Sequence, residues 1–147
     1  MASNFYLTVD SNDANNLTFY PDNKAWKFKV HLDVPLNLSG SWKVALTDIF
    51  VRDNNKITYV NNLYIHCDLA GESIMNGERR QSLLRMVHYV KKGNWTHQYT
   101  LPYYVDVNKS LIFDIEFYIK DRKSEYASFL KQPVTLTLHF RHFPFLL

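Results

Sequence analysis

The chain holds one cysteine, Cys67, and only four glycines among its 147 residues. A single thiol forms no intrachain disulfide and no cysteine-based zinc cage. So little glycine also argues against a Gly-rich phosphate cradle. No apolar run approaches the ~20 residues needed to span a bilayer as a helix. The start, MASNFYLTVD, lacks the basic head and apolar stretch of a signal peptide. Folding inside a cell, in cytoplasm or nucleus under reducing conditions, is therefore the expectation. On that expectation the Asn-x-Ser/Thr patterns at Asn16, Asn37, Asn94 and Asn108 read as polar turns rather than glycosylation sites. Charge of one sign is scarce too: 17 Lys and Arg against 14 Asp and Glu leave a net charge of +3. The basic residues are scattered, so no specific nucleic-acid partner is indicated.

What is present is aromatic residues in alternating runs. Ten Tyr and ten Phe suit half-buried pleated surfaces. Phe5, Leu7 and Val9 alternate with Tyr6 and Thr8, and Trp26, Phe28, Val30 and Leu32 with Lys27, Lys29 and His31. Trp42, Val44 and Leu46 alternate with Lys43, Ala45 and Thr47, and Leu63, Ile65, Cys67 and Leu69 with Tyr64, His66 and Asp68. Leu111, Phe113, Ile115, Phe117 and Ile119 form a fifth run, with Asp114 and Glu116 on the opposite face. Val134, Leu136, Leu138 and Phe140 form a sixth. A period of two puts successive side chains on opposite faces of a strand. Residues 83–90 add a strand with apolar groups on both faces, and residues 97–107 an extended run bent at Pro102. Turn chemistry separates the runs, including SNDANN before Leu17 and Lys92-Gly93-Asn94. No long amphipathic helix is expected; a short helical turn is expected within Asp121–Leu130, with Tyr126, Phe129 and Leu130 on one face. About eight short strands, each with one apolar face, predict an antiparallel sheet-on-sheet sandwich in one domain.

Nucleophile elbows, H-E-x-x-H pairs, P-loops and dinucleotide fingerprints are absent. His139 and His142 sit at a strand end, where a spacing of three points them apart. Asp114 and Glu116 read as a solvated face, and Cys67 as a small buried hydrophobe. Trp26 and Trp42 fall in phase with the core, whereas Trp95 follows Gly93-Asn94 in a turn and is a candidate contact residue. Arg85 and Arg141 stand among apolar neighbours. Each needs a carboxylate or carbonyl partner, with Asp68, Asp114, Glu116 or a group on another subunit as the choices, unless its head reaches water. The chain closes on HFPFLL, residues 142–147. Phe143, Phe145, Leu146 and Leu147 make a sticky tail that must fold back or dock on a neighbour, and docking is the expectation.

Three stretches carry a resemblance: residues 5–49, 63–87 and 99–141. Their marks are Tyr20-Pro21-x-Asn23, Leu38-x-Gly40-x-Trp42-x-Val44-Ala45-Leu46, Leu83-Leu84-Arg85, and Leu136-Thr137-Leu138-His139-Phe140-Arg141. In this order they resemble the penton-type minor capsid proteins of Polinton (Maverick) elements and adintovirus-like DNA viruses. The likeness is to a compact form, with only Phe50–Asn62 between the Trp42 and Tyr64 blocks. The resemblance implies a single jelly-roll domain over residues 1–147, with 142–147 as its apolar tail. It also implies a non-enzymatic shell subunit without cofactor or metal, carried in the virion. Its partners would be copies of itself or other capsid proteins, through interface candidates Trp95, Arg141, Phe143, Phe145, Leu146 and Leu147. The alternative is a ligand-binding sandwich that recognises a glycan or a protein receptor.

Overall fold

The computed structural model describes residues 3–52, 59–75, 77–91 and 93–143. Its elements are β1 (Asn4–Asp10), α1 (Ala14–Phe19), β2 (Lys27–Asn37), β3 (Trp42–Val51), β4 (Tyr59–Cys67), β5 (Glu72–Met75), β6 (Glu78–Gln81), β7 (Leu83–Lys91), β8 (Trp95–Gln98), β9 (Val105–Asp106), β10 (Leu111–Lys120) and β11 (Val134–His142). One sheet runs β1-β11-β3-β8, with β9 also on β3, and the other runs β2-β10-β4-β7. All of these pairings are antiparallel. Leaving aside the β5–β6 hairpin and the short β9, eight strands remain. The first pairs with the last, the second with the seventh, the third with the sixth and the fourth with the fifth. A long antiparallel ribbon rolled in this way into two facing sheets is the jelly-roll order.

The rolled ribbon buries one face of each sheet. Val44, Leu46, Leu136, Leu138 and Phe140 from one sheet meet Phe28, Leu63, Ile65, Ile115 and Phe117 from the other. The inward phases expected for β1, β2, β4 and β11 are those observed. In β3 the phase changes at a bulge beside Thr47. Trp42, Val44 and Leu46 point in, and beyond the bulge Ile49 and Val51 do. Ala45, on the opposite face, is buried as well.

Three local expectations need correction. The alternation puts Leu111 and Phe113 in the interior, yet both are 52% exposed and Ile112 is buried in their place. The ladder slips between Ile112 and Asp114, so Phe113 alone stands opposite residues 32–35 of β2. Pro35 lies in that stretch and has no N–H to give the ladder. Second, α1 occupies ANNLTF, where a turn was expected. Asp13 caps it by accepting the N–H of Asn16 at 3.1 Å, which turns the polar cluster into a helix start. Third, residues 121–130 form turns rather than a helix. Ala127 and Leu130 reach the core, and Tyr126 is exposed.

Candidate assembly surfaces

A sandwich with an apolar core presents its outer faces and its edges. On the outer face of the β1-β11-β3-β9 sheet, β11 presents His139 and Arg141, β3 presents Lys43, and the chain entering β9 adds Tyr104. The Arg141 guanidinium lies 5.4 Å from the Tyr104 ring and 5.1 Å from that of Phe143. Lys43 Nζ sits 5.2 Å from the same Phe143 ring and 3.6 Å from Asp106 Oδ1. Two cations over one aromatic ring are held there by the ring's negative face. Beside them, His139 is nearly enclosed. Its Nε2–H donates to Asn4 Oδ1 at 3.2 Å, which leaves Nδ1 to accept from Tyr104 Oη–H at 2.7 Å. Tyr6 stacks on the imidazole at 4.4 Å. Burial, and then the charge of Arg141, hold His139 below the usual histidine range.

The structure thus brings Arg141 and Phe143 together. Trp95 lies elsewhere: it pairs with Val51 at the end of β3 opposite the Trp42–His142 pair, about 30 Å of strand away. It opens β8 rather than occupying an exposed turn. It is half-buried against the core, with Tyr89 edge-on at 5.4 Å and His97 stacked at 5.8 Å. Phe145, Leu146 and Leu147 lie outside the described residues. The tail also begins later than expected, because His142 is the last residue of β11, opposite Trp42. There Gly40 takes φ +89°, and a Cβ on it would stand 2.8 Å from His142 Nε2. That backbone angle calls for glycine, and a side chain there would also have to push the His142 ring aside.

A second cluster escaped the sequence reading. Arg85 is gripped between the rings of Tyr99 at 3.6 Å and Tyr103 at 3.9 Å, and its Nη1–H donates to Leu101 O at 3.1 Å. Its partners are rings and a carbonyl, not Asp68, Asp114 or Glu116. The only signal in the sequence was the pair of tyrosines flanking Leu101-Pro102.

A third cluster lies on the outer face of the β2-β10-β4-β7 sheet. Tyr20 Oη–H donates to Asp114 Oδ1, which also faces His31 Nδ1 at 3.0 Å. Phe19 stacks on His31 at 4.1 Å. The hydrogen bond to Asp114 pushes Tyr20 up to about 12, and the same bond holds Asp114 below the usual carboxylate range. Open hollows of about 390 and 250 Å³ flank Tyr20, Lys29 and Glu116. With Tyr20 held protonated, its hydroxyl and Asp114 together orient the His31 ring. Burial pushes the Cys67 thiol up to about 12 as well, so it stays protonated inside β4. Among the described residues, no three His, Cys, Asp or Glu side chains converge as metal ligands.

The edges differ. The outer side of β2 is closed by side chains. Asn23 Oδ1 accepts the Lys29 N–H at 2.9 Å while its Nδ2–H donates to Lys29 O at 3.0 Å. Asn16 Oδ1 accepts the His31 N–H at 2.8 Å. Lys24 bridges to Lys27 through its backbone, and Pro35 blunts the rest. Among the described residues nothing comparable covers β1.

No protein-family model matches the chain, and no curated protein does. Among solved structures, a chain of the T13 IBDV viral particle aligns over 96% of this chain and 36% of its own, at 12% identity and a TM-score of 0.33. The infectious bursal disease virus VP2 subviral particle aligns over 95% of this chain and 38% of its own, at 12% identity and a TM-score of 0.23. The chain therefore spans little more than a third of either. Overlap this loose carries no argument about role.

Proposed function

We propose that the chain is a structural protein, a single jelly-roll capsid subunit of penton-like or minor type from a DNA virus or virus-like element. It works through contacts with its own copies and with other shell proteins, and it is carried in the virion. The observation that supports this most is a jelly roll whose described core is built of apolar side chains from both sheets, while the two hollows beside Tyr20 lie on an outer face. Jelly rolls serve as capsid and lectin domains and as cupins. With its inside packed, such a domain has its shape, edges and outer faces left to act with. The four sequence marks of the resemblance add to this reading. The Arg141–Phe143–Lys43–Tyr104 cluster lies where the chain leaves β11, which suits it to a partner's surface.

A glycan-binding role is the second reading. Exposed Phe19 beside the hollow at Tyr20 favours it, since an open aromatic next to polar groups suits a sugar face. Native mass spectrometry and sedimentation of the whole chain over a range of concentrations separate the two. Concentration-dependent oligomers or closed particles support the shell subunit. A chain that stays monomeric and binds on a glycan array sinks it.

A further inference from the structure

We propose that the free edge of β1 is a self-pairing surface. The β1 strand of one copy adds antiparallel to the β1 strand of a second copy and joins two sandwiches through one continuous sheet. This rests on the reading of the chain as a self-associating subunit and names the surface that does it.

The direction of the unpaired groups follows from the ladder. β1 pairs with β11 in unbroken register from Asn4 with Arg141 to Asp10 with Thr135. The His142 N–H donates to Ser3 O at 2.8 Å, and the Ser11 N–H to Val134 O at 2.9 Å. Antiparallel bonding alternates along a strand, so the odd-numbered residues of β1 are those bonded to β11. The N–H and C=O groups of Asn4, Tyr6 and Thr8 therefore point the other way. Among the described residues no strand lies on that side, and those groups have no partner.

Such an edge invites another strand unless it is blocked. The β2 edge carries asparagine caps and a proline. From Asn4 to Val9, β1 has no proline, no charge and no bulge.

The occupant is a second copy because β1 is self-complementary about Tyr6. Antiparallel pairing centred there sets Tyr6 opposite its own copy and Asn4 opposite Thr8. These are the residues whose backbone groups are free, so the ladder continues in phase. Phe5 then falls opposite Leu7 on the core-facing side. Both are only partly buried within one copy, and the pairing covers apolar surface on each. No like charges face one another. The arrangement has a two-fold axis and buries the same patch on both copies.

Sedimentation velocity on charge variants of the whole chain tests this. Asn4→Lys/Thr8→Lys places like charges opposite each other across the axis, and Asn4→Asp/Thr8→Asp does so with the other sign. Each alone is expected to weaken association at least about tenfold, and mixing the two is expected to restore it. Asn4 also accepts from His139, so Tyr6→Pro provides a second block. Its lost N–H faces away from β11, and association is expected to fall with the β1–β11 ladder intact. Loss without rescue on mixing overturns the proposal, since the two β1 edges would not then face each other. Association unchanged in all three variants overturns it too, while the self-associating subunit stands. A wild-type chain that stays monomeric at millimolar concentration overturns both.

Discussion

Single side chains here act through what surrounds them. Arg85 shows this best: its charge is met by two tyrosine rings and one carbonyl, and its Nε has no hydrogen-bond partner among the described residues. Arg85→Gln keeps a polar head but loses both ring contacts. It is expected to cost about 1–3 kcal/mol in a urea denaturation experiment, and an unchanged midpoint would show the clamp to be idle. His139 makes the matching case for pH. Its folded pKa lies below the ordinary histidine value of 6.5, so the unfolded chain binds the proton more readily. Stability from this group is therefore present above the unfolded value and is lost as pH falls through the lowered folded value. Asp114, also lowered, contributes in a separate window at and below the ordinary carboxylate value of 3.8. Wild type and His139→Gln should thus differ in the slope of stability against pH just below pH 6.5. Parallel slopes there would rule His139 out. Sequence offered Arg85 as a buried charge in need of a partner. It did not offer the partner, because Tyr99 and Tyr103 come from a loop brought in by the fold.

At the scale of elements, bulges decide more than alternation does. The slip opposite Pro35 sends Phe113 out and Ile112 in. Ile112→Ala is then expected to destabilise by about 2–5 kcal/mol through the cavity it leaves. Phe113→Ala, though it removes the larger side chain, should stay within about 1 kcal/mol. Equal losses at the two positions, measured by thermal unfolding, would restore the uninterrupted phase. The sequence marks of the resemblance have local reasons in the same elements. Asn23 of Tyr20-Pro21-x-Asn23 caps the β2 edge, and Tyr20 bonds Asp114 across to β10. Gly40 makes room for His142, and Trp42 Nε1–H donates to Ser39 O at 3.0 Å. Leu83 and Leu84 are both buried because β7 slips by one residue against β4 at Leu84.

For the whole molecule, the end of the chain tests both stability and assembly. His142 belongs to the β11 ladder, its N–H donates to Ser3 O, and the Phe143 N–H donates to Ser41 O at 2.8 Å. Deleting residues 142–147 should therefore cost roughly 2–4 kcal/mol of monomer stability. Deleting only 144–147 spares every one of those bonds. On the shell-subunit reading, this shorter deletion leaves the melting temperature in place and weakens association. If association survives it unchanged, Phe145, Leu146 and Leu147 are not assembly contacts.

The strands, their inward residues and the two-layer sandwich were legible in the sequence, because a period of two and the burial of one face are local properties of the chain. Trp42, Val44 and Leu46 announce their direction in five residues, as do Leu136, Leu138 and Phe140. The interruptions were not legible. A bulge at Thr47 or Phe113 depends on which strand lies alongside and in what register, and those partners stand 90 and about 80 positions away in the chain. The same holds for the surfaces. Arg141 and Phe143 share a cluster, and Trp95 lies at the far end of β3, because rolling the ribbon into two sheets sets distances that sequence spacing does not contain. Which edge stays open was likewise decided by tertiary structure. Asn16 and Asn23 look like ordinary turn residues until the fold lays them along β2, and β1 is open because the fold lays none of the described residues along it.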